Sequence, residues 1–413
     1  MALIVQKFGG TSVANIERIK HVATLVKREV DRGHQVIVVV SAMAGVTNQL
    51  VDYCNAMSTL SNNDALANYD HVVASGEQVT SGLLALYLQT LGQKSRAWCG
   101  WQMALKSDNM HSKARIETIE TEAIRASLAK GEVAVVAGFQ GITKEGRIST
   151  LGRGGSDTTA VAIAAAFDAE RCDIYTDVDG VYTSDPRIVP KASKLHQVSY
   201  EEMLEMASLG SKVLQTRSVE LAMNYHVRLQ VLSTFADVAG TFLVDEEEIV
   251  EKQRVTGLAY SRDEARVTLV QVENRPGVSA AIFGPLAGAG INVDMIVQNV
   301  TEDGKETDLT FTVVKTDLDR ALSLLKENKD IPKFHSIHTD KNVAKVSVIG
   351  VGMRSHAGVA SDMFKTLAEK NINIIVISTS EIKISVLIDE SYLELALRSL
   401  HTAYGLDAKE ERT

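Results

Sequence analysis

The chain begins with the stretch LIVQKFGGTS at residues 3–12, in which an apolar run ends at a lysine and two glycines. A near-continuous apolar run is typical of a strand that is buried on both faces of a parallel sheet. The glycines allow a tight turn after the strand, so that Lys7 can place its ammonium group beside exposed backbone N–H groups. This arrangement would suit an anion. From these residues alone, an ordinary strand-to-helix turn with a solvent-reaching lysine is an equally good interpretation.

Further apolar runs follow and alternate with helical patterns as far as residue 234. The runs occupy residues 36–43, 133–142, 172–178 and 228–234. Segments with 3.6-residue spacing, at 16–30 and 158–169, lie between runs and supply the crossovers that parallel strands require. We therefore predict an open α/β sandwich of roughly 240 residues, with helices on both faces of the sheet.

Length and composition predict a multidomain protein that acts on small molecules. The 413 residues are 45% hydrophobic, more than one core usually holds, which predicts two or three domains. A net charge of −9 argues against nonspecific binding to nucleic acid or anionic membranes. No apolar stretch approaches the ~20 residues of a membrane span, and MALIVQKFGG lacks the features of a secretory signal, so a cytoplasmic location is expected. The three cysteines, Cys54, Cys99 and Cys172, are too far apart for a disulfide framework.

The C-terminal part of the sequence contains an internal duplication. The charged segment 245–253 ends the strand–helix alternation, and beyond it residues 276–292 align with residues 357–373. Seven of these seventeen positions are identical at an offset of 81 residues, which indicates a repeat. Each copy predicts a small βαββα unit, whose free sheet edge would let the two copies pair side by side. Such a pair could serve only for dimerisation, or it could bind small ligands where the copies meet.

Glycine- and hydroxyl-rich clusters follow predicted strands at residues 7–12, 41–47, 152–160 and 176–187. In an open α/β sheet, the carboxyl ends of the strands form the edge at which ligands bind. The cluster GRGGSD, at 152–157, leads into a predicted helix whose positive N-terminal end suits a phosphate or a carboxylate. The run G-x-x-x-x-G-K-[ST] is absent, which excludes a P-loop kinase, and the absence of G-x-G-x-x-G argues against dinucleotide binding.

These motifs, in this order, resemble those of the aspartate kinase family. The resemblance rests on KFGGTSVA, VVVSAMAGVTNQL, SGEQ, GRGGSDTTA, TDVDGVYTSDPR and the doubled C-terminal unit, and it covers nearly the whole chain. It implies an amino-acid-kinase domain, an open αβα sandwich, over residues 1–245. Two ACT domains of βαββαβ, ferredoxin-like topology would follow at 246–340 and 341–413, with the strand at 254–260 pairing with the second unit. The implied reaction transfers the γ-phosphoryl group of ATP to the side-chain carboxylate of L-aspartate, giving 4-phospho-L-aspartate and ADP, as the entry step to lysine, threonine and methionine biosynthesis.

The catalytic residues that the resemblance implies are Lys7, Gly9, Gly10 and Asp157. An acceptor carboxylate is already ionised at pH 7, so the obstacle to the reaction is its repulsion of the polyanionic phosphate. Lys7 would offset this repulsion, with the N–H groups of Gly9 and Gly10 on the phosphoryl oxygens. Asp157 would hold the Lys7 ammonium group in position, or would simply cap the following helix.

The substrate sites follow from the same resemblance. The positions that match the family's aspartate site are Ser41, Thr47, Glu77, Arg153 and Ser156. An arginine for the α-carboxylate and a glutamate for the α-ammonium group are what a free amino acid requires, although Glu77 would equally serve as a capping carboxylate at a helix start. The nucleotide positions are Lys7, Gly10, Thr176, Asp177, Asp179, Tyr182, Arg187 and Lys212. Mg²⁺ is expected only as the ATP chelate, so we expect no protein metal ligand and no tightly bound cofactor.

In the duplicated part, the resemblance implies an effector site for lysine, threonine or both. The matching positions are Asn274, Gly277, Val278, Ala280, Asn292, Asp294, Gln298, Asn373 and Ile374. Asp294 and backbone carbonyls would receive the effector's ammonium group, while turn N–H groups hold its carboxylate. Asn274 departs from the aspartate that is frequent in the family, and Ala357 replaces the Pro276 of the first copy, so the two turns need not be equivalent.

The partners expected are therefore small molecules and further copies of the chain, joined through the ACT domains as a homo-oligomer, with no nucleic acid and no membrane. Two other functions remain open at this point. One is another carboxylate kinase of the same fold, and the other is a catalytically silent regulator that binds amino acids.

Overall fold

A computed structural model describes residues 2–209, 213–249, 253–328 and 331–407 of the chain. These residues form two compact units. The first comprises residues 2–181, 194–207 and 213–249, and the second comprises residues 182–193, 208–209, 253–328 and 331–407. The main division thus falls near the expected boundary at residue 245, but the second unit also takes residues 182–193 from the middle of the expected kinase domain.

The first unit is built on a sheet with the strand order β10-β12-β11-β9-β1-β2-β6-β3, in which the β11–β12 pair is antiparallel and the other neighbours are parallel. Its elements are, in chain order, β1 (Leu3–Phe8), α1 (Ile16–Asp31), β2 (Gln35–Val40), α2 (Val46–Met57), α3 (Asn63–Val73), α4 (Ser75–Thr90), β3 (Ser95–Trp98), β4 (Leu105–Ser107), β5 (Ile116–Ile119), α5 (Glu122–Leu128), β6 (Val133–Ala137), β7 (Gln140–Ile142), β8 (Ile148–Thr150), α6 (Gly155–Phe167), β9 (Arg171–Thr176), β10 (Gln197–Ser199), α7 (Tyr200–Ser208), α8 (Thr216–Asn224), β11 (Leu229–Ser233) and β12 (Thr241–Val244).

Helices cover both faces of this sheet, which confirms the predicted sandwich. On one face, Val22 of α1 and Leu84 of α4 pack with Val36 and Val38 of β2. Because side chains alternate along a strand, the intervening residues of β2 face the other side. Helix α6 lies against β1, β2 and β9 there, and its apolar residues are buried nearly all round. A helix that is apolar on every side belongs in the interior, as α6 does.

The apolar run 133–142 does not form the single strand that was expected. Strand β6 ends at Ala137, and β7 belongs to a separate small sheet with the order β5-β4-β7-β8. The chain changes direction between them, because Phe139 has a φ of 70°. A Cβ atom at Gly138 would come within 2.9 Å of the Ser156 side chain, so the glycine lets the first turn of α6 approach the end of β6 closely.

The second unit contains the two copies of the repeat in one sheet, with the strand order β14-β15-β13-β16-β18-β17. Its elements are β13 (Gly257–Glu273), α9 (Val278–Gly288), β14 (Asp294–Val300), β15 (Glu306–Val313), α10 (Leu318–Glu327), β16 (Ser336–Ile349), α11 (Val359–Glu369), β17 (Val376–Thr379), β18 (Lys383–Asp389) and α12 (Leu393–Ala403). The copies therefore pair side by side, as predicted, through the long strands β13 and β16.

The long strands cross from one copy to the other. The start of β13, from Gly257 to Ser261, pairs with the end of β16, from Lys345 to Ile349, which is the pairing expected for the strand at 254–260. The expected boundary between the copies, after residue 340, lies inside β16. Among the described residues, no helix has both the length and the apolar character needed to cross a membrane.

Candidate active site

A cavity of about 500 Å³ lies beside the carboxyl ends of β1 and β2 in the first unit. Its walls come from β1, the turn between β2 and α2, helix α4 and the loop that enters α6. They include the predicted residues Lys7, Gly10, Ser41, Thr47, Glu77, Arg153, Ser156 and Asp157. The structure thus brings all the predicted aspartate-site residues together with three of the four predicted catalytic residues.

A buried ion pair between Lys7 and Asp157 forms part of the cavity wall. Lys7 lies in β1, and its Nζ atom is 2.5 Å from Oδ1 of Asp157 in the first turn of α6. Each side chain is only 11% exposed. The pair therefore fixes the position of the ammonium group at a wall of the cavity, and it joins strand β1 to helix α6.

The N–H groups of the two glycines after β1 have different surroundings. We expected both N–H groups to face the cavity, but only that of Gly10 is available to it. The N–H of Gly9 donates to the carbonyl of Tyr175 in β9 at 3.4 Å, which continues the ladder between β1 and β9. For the Gly10 N–H, no acceptor lies among the described residues, and Gly10 lines the cavity. A Cβ atom at Gly9 would lie 3.3 Å from Lys7 Nζ, so a glycine there leaves space around the ammonium group.

Helix α6 begins earlier than the sequence predicted. Its N-cap is Gly154, in the left-handed region with a φ of 71°, so Ser156 and Asp157 already lie in the first turn. The capping role considered for Asp157 is therefore wrong. A side chain at position 154 would overlap Gln215, because an added Cβ would lie 2.2 Å from its Cγ atom. The helix consequently places its positive end and a carboxylate together at the cavity.

Glu77 is buried in the cavity wall, and only one of its two carboxylate oxygens accepts a hydrogen bond from the described residues. Its side chain is 3% exposed, and Oε1 accepts a hydrogen bond from the Ala42 N–H at 3.0 Å, outside helix α4. Within the described residues, Oε2 has no partner. Burial raises the pKa of Glu77 to about 7, and the bond from Ala42 opposes the increase. The carboxylate is therefore short of one donor, which a ligand could supply.

Arg153 lies on the exposed side of the same cavity. No carboxylate of the described residues forms an ion pair with it, although most of the arginines in the chain are paired in this way. A guanidinium group presents several donors in a fixed fork, which suits a carboxylate ligand. Glu77 and Arg153 thus offer one negative and one positive group on the walls of one cavity.

The predicted nucleotide residues are divided between the two units. In the first unit, Thr176 ends β9, and Asp177 and Asp179 follow it. Lys194 Nζ lies 3.1 Å from an oxygen of Asp179. Tyr182 and Arg187 belong to the second unit. Arg187 forms an ion pair with Asp185 at 2.8 Å, and its side chain is 85% exposed. Lys212 lies outside the described residues.

The predicted effector residues lie along turns and edge strands of the second unit. Gly277 is the N-cap of α9, with a φ of 91°, and Val278 is part of the buried core rather than the surface. The side-chain amide of Asn274 donates to the Gly304 carbonyl. The exposed positions are Ala280, Asn292, Asp294, Gln298 and Asn373, while Ile374 is half-buried against the core of the second copy.

Asp294, which was expected to receive an effector's ammonium group, already has a cation beside it. Lys345 of β16 lies 2.6 Å from Asp294 and 2.8 Å from Glu264, and its side chain is only 6% exposed. Burial alone would lower the pKa of Lys345, but the attraction of Glu264 and the hydrogen bond to Asp294 raise it above its usual value. An effector's ammonium group would therefore compete with Lys345 for Asp294.

Several cavity residues gave no signal in the sequence. Tyr69 of α3 and Ser112 line the cavity, but neither belongs to a glycine-rich cluster or follows a strand of the main sheet. The loop at 108–113 was not predicted as part of a site, because its polar residues match no motif. Among the described residues, no three His, Cys, Asp or Glu side chains are arranged to hold a metal ion.

Comparison with known proteins gives consistent similarities over the whole chain. Residues 2–233 match the amino acid kinase family, and residues 266–330 and 346–404 each match an ACT domain. An aspartate kinase of Pseudomonas fluorescens is 53% identical over 409 residues, which cover 99% of this chain and 98% of that protein. E. coli aspartokinase III in complex with aspartate and ADP has a TM-score of 0.79 at 26% identity, and the alignment covers 97% of this chain and 99% of that one. The same enzyme in complex with lysine and aspartate has a TM-score of 0.77 at 26% identity, with coverage of 97% and 99%.

The ion group around Lys345 yields a test of the second unit. Replacing Lys345 by Met should lower the free energy of unfolding by about 3–5 kcal/mol, because Glu264 would remain buried without its cation. Urea unfolding followed by circular dichroism measures the change. The control is Lys341→Met on the same strand, where an exposed pair with Asp319 at 3.5 Å should contribute less than about 1 kcal/mol. Equal effects of the two substitutions would contradict the prediction.

Proposed function

The chain belongs to the aspartate kinases of the amino acid kinase family, and we propose that the cavity beside β1 and β2 is its aspartate site. The enzyme transfers the γ-phosphoryl group of ATP to the side-chain carboxylate of L-aspartate. The observation that carries the site assignment is the buried Glu77 carboxylate, which lacks one donor in a cavity that also contains the guanidinium group of Arg153. A free amino acid carries the two complementary charges.

In the proposed complex, Arg153 binds the α-carboxylate of aspartate and Glu77 accepts a hydrogen bond from its α-ammonium group. Ser41, Thr47 and Ser156 line the remaining wall with hydroxyl groups. The side-chain carboxylate is then left to point towards Lys7 and the N-terminal end of α6. A buried carboxylate oxygen that accepts no hydrogen bond is costly, so substrate binding would remove a cost that Oε2 of Glu77 imposes on the free protein.

The chemistry requires charge stabilisation rather than proton transfer. An oxygen of the substrate carboxylate attacks the γ-phosphorus, a new O–P bond forms, and the bond from that phosphorus to its bridging oxygen breaks to release ADP. No proton has to move, because the acceptor is already ionised at neutral pH. Lys7 would stabilise the charge on the phosphoryl oxygens, with the Gly10 N–H as a further donor and Asp157 holding the ammonium group in place.

For the nucleotide, we propose that Thr176, Asp177 and Asp179 of the first unit contact the adenosine part. The roles of Tyr182, Arg187 and Lys212 stay predictions of the family resemblance. Mg²⁺ would enter as the chelate of ATP, carried mainly by phosphate oxygens and water. To bind a phosphate, Arg187 would have to give up its bond with Asp185. The Arg187 side chain is 85% exposed, and Asp185, which is 16% exposed, would keep the hydroxyl of Tyr260 as a donor.

We further propose that the kinase domain ends near residue 245 and that the two repeats, at 246–340 and 341–413, are ACT domains that bind lysine, threonine or both. The edge strand β14 exposes Ile296 and Val300 to 50% and 53%, an unusual apolar edge that favours pairing with a second copy of the chain. A homo-oligomer through these domains and a cytoplasmic location complete the proposal.

The first test is a coupled assay of ADP release with hydroxylamine trapping of the acyl phosphate. Wild-type protein should form hydroxamate only when ATP, magnesium and L-aspartate are all present. The Lys7→Met variant should lose at least about three orders of magnitude in kcat, because it loses the cation that offsets the phosphate charge. The control is Lys27→Met, which removes a surface lysine paired with Asp31 and should leave kcat unchanged. A Lys7→Met variant that turns over at a near-normal rate would sink the assignment.

The raised pKa of Glu77 predicts how aspartate binding depends on pH. Above about pH 7 the carboxylate is ionised and can pair with the substrate's ammonium group, and below it the protonated form cannot. We therefore expect kcat/KM for aspartate to fall about tenfold per pH unit below 7. At saturating aspartate, kcat/KM for ATP should not show this decrease below pH 7. The Glu77→Gln variant should have a low, pH-independent kcat/KM for aspartate. The same decrease below pH 7 in that variant would contradict the assignment.

Effector binding has its own test. L-lysine, L-threonine or their mixture should change the aspartate kinase activity and raise the midpoint of thermal unfolding, because a ligand that binds the folded state stabilises it. D-lysine and D-threonine are the controls, since they carry the same charges with the wrong chirality. If neither L-amino acid alters either measurement, the ACT pair serves only for association.

A further inference from the structure

We propose that Asp70 is a positioning residue of the aspartate site, which holds the loop carrying Ser112 and the end of β8 in the arrangement that presents Arg153. This inference rests on the aspartate-binding role proposed above for the cavity. It concerns residues that match none of the sequence motifs.

Asp70 is the centre of a fully satisfied buried group. It lies in α3 with no exposed surface, and its carboxylate accepts four hydrogen bonds from three donors in two other segments. These are Nδ1 of His111 at 2.7 Å, the Ser112 N–H at 3.0 Å to each oxygen, and the Thr150 hydroxyl at 2.5 Å. Because a carboxylate only accepts, His111 must carry a proton on Nδ1. One carboxylate thus fastens α3, the 108–113 loop and β8 to one another.

The first segment held by Asp70 contributes a wall of the cavity in an unfavourable backbone conformation. Ser112 has a φ of 67°, a left-handed value that costs a non-glycine residue about 1 kcal/mol or more. The bond from its N–H to Asp70 offsets this cost, and His111, which is 4% exposed, secures the preceding residue. Ser112 and Tyr69, the neighbour of Asp70 in α3, both line the cavity.

The second segment leads directly to the predicted substrate arginine. Thr150 is the last residue of β8, three positions before Arg153. Its carbonyl accepts the Ala114 N–H at 2.9 Å, and Arg217 donates to the carbonyls of both Leu151 and Ala114. A Cβ atom at Gly152 would lie 3.2 Å from the Ser112 carbonyl, so the two segments are in close contact. A shift of the Ser112 loop is therefore transmitted to the residues that precede Arg153.

Loss of the Asp70 carboxylate would leave three donors unsatisfied and release both segments. In Asp70→Ala we expect the KM for aspartate to rise about tenfold or more, because small displacements of positioning groups weaken productive binding strongly. The KM for ATP should stay within twofold of the wild-type value. Asp70→Asn keeps one acceptor oxygen for Thr150 and Ser112, and its amide can donate to the other tautomer of His111. We expect it to restore the KM for aspartate to within threefold of wild type.

The matched control is Glu29→Ala. Glu29 is 2% exposed and binds Arg32 and Arg171, but it lies at the end of α1 beside the start of β9, at the opposite edge of the sheet from the cavity. It should lower the thermal midpoint as Asp70→Ala does, yet leave the KM for aspartate within twofold. An Asp70→Ala protein that folds with a KM raised less than threefold would overturn the proposal, as would an equal rise in Glu29→Ala.

If Asp70→Ala does not fold, Thr150→Val decides the question, because it removes a single hydroxyl group from the same carboxylate. A rise of threefold or more in the KM for aspartate supports the proposal, and a smaller rise overturns it. Wild-type protein without aspartate-dependent hydroxamate would instead overturn the proposed function. The two failures are therefore distinguishable.

Discussion

The ion pair between Lys7 and Asp157 requires that the first turn of α6 approach the end of β1, and the active-site region is built around this approach. Gly138, at the end of β6, leaves room for this turn, because a Cβ atom there would lie 2.9 Å from the Ser156 side chain. A buried ion pair adds little net stability, since desolvation offsets most of the attraction between the charges. In the proposed mechanism its role is therefore to fix a cation where phosphate charge has to be stabilised.

The same cavity contains two carboxylates whose surroundings give them different roles. Asp157 is paired with Lys7 and lies near the positive end of a helix. Glu77 accepts a backbone N–H and, in the part of the chain that the structure describes, forms no ion pair with a cation. Burial without a cation raises the pKa of Glu77 to about 7, so this carboxylate gains most from a cationic ligand. In the proposed site, this difference separates Asp157, which holds Lys7 on the phosphate side, from Glu77, which binds the amino acid.

The sequence predicted those parts of the fold and site that depend on local pattern. The buried strands, the crossover helices and the repeat follow from apolar runs and spacing, and the cluster of Lys7, Glu77 and Arg153 follows from the family resemblance that the motifs carry. It did not predict the break at Gly138, because a continuous apolar run does not show that Phe139 reverses the chain. It also missed the group around Asp70, whose members are 41 and 80 residues apart from that carboxylate in the chain and meet only in the folded state.

Two further features could not be predicted from local sequence. One is the hydrogen bond from the Gly9 N–H to Tyr175, and the other is that Tyr182 and Arg187 belong to the second unit. Each is decided by a partner distant in sequence, which a local motif does not reveal. The segment 182–193 is anchored within the second unit, where Thr183 bonds to His401 at 2.8 Å and Arg398 donates to the Ile188 carbonyl at 2.7 Å. Its flanking residues, Val181 and Lys194, belong to the first unit. The nucleotide motif is thus covalently continuous with residues that α12 of the second ACT copy holds in place. Since a ligand shifts an equilibrium only through different affinities for two states, an effector of these domains would change the activity only if it bound two states of the chain with different affinities.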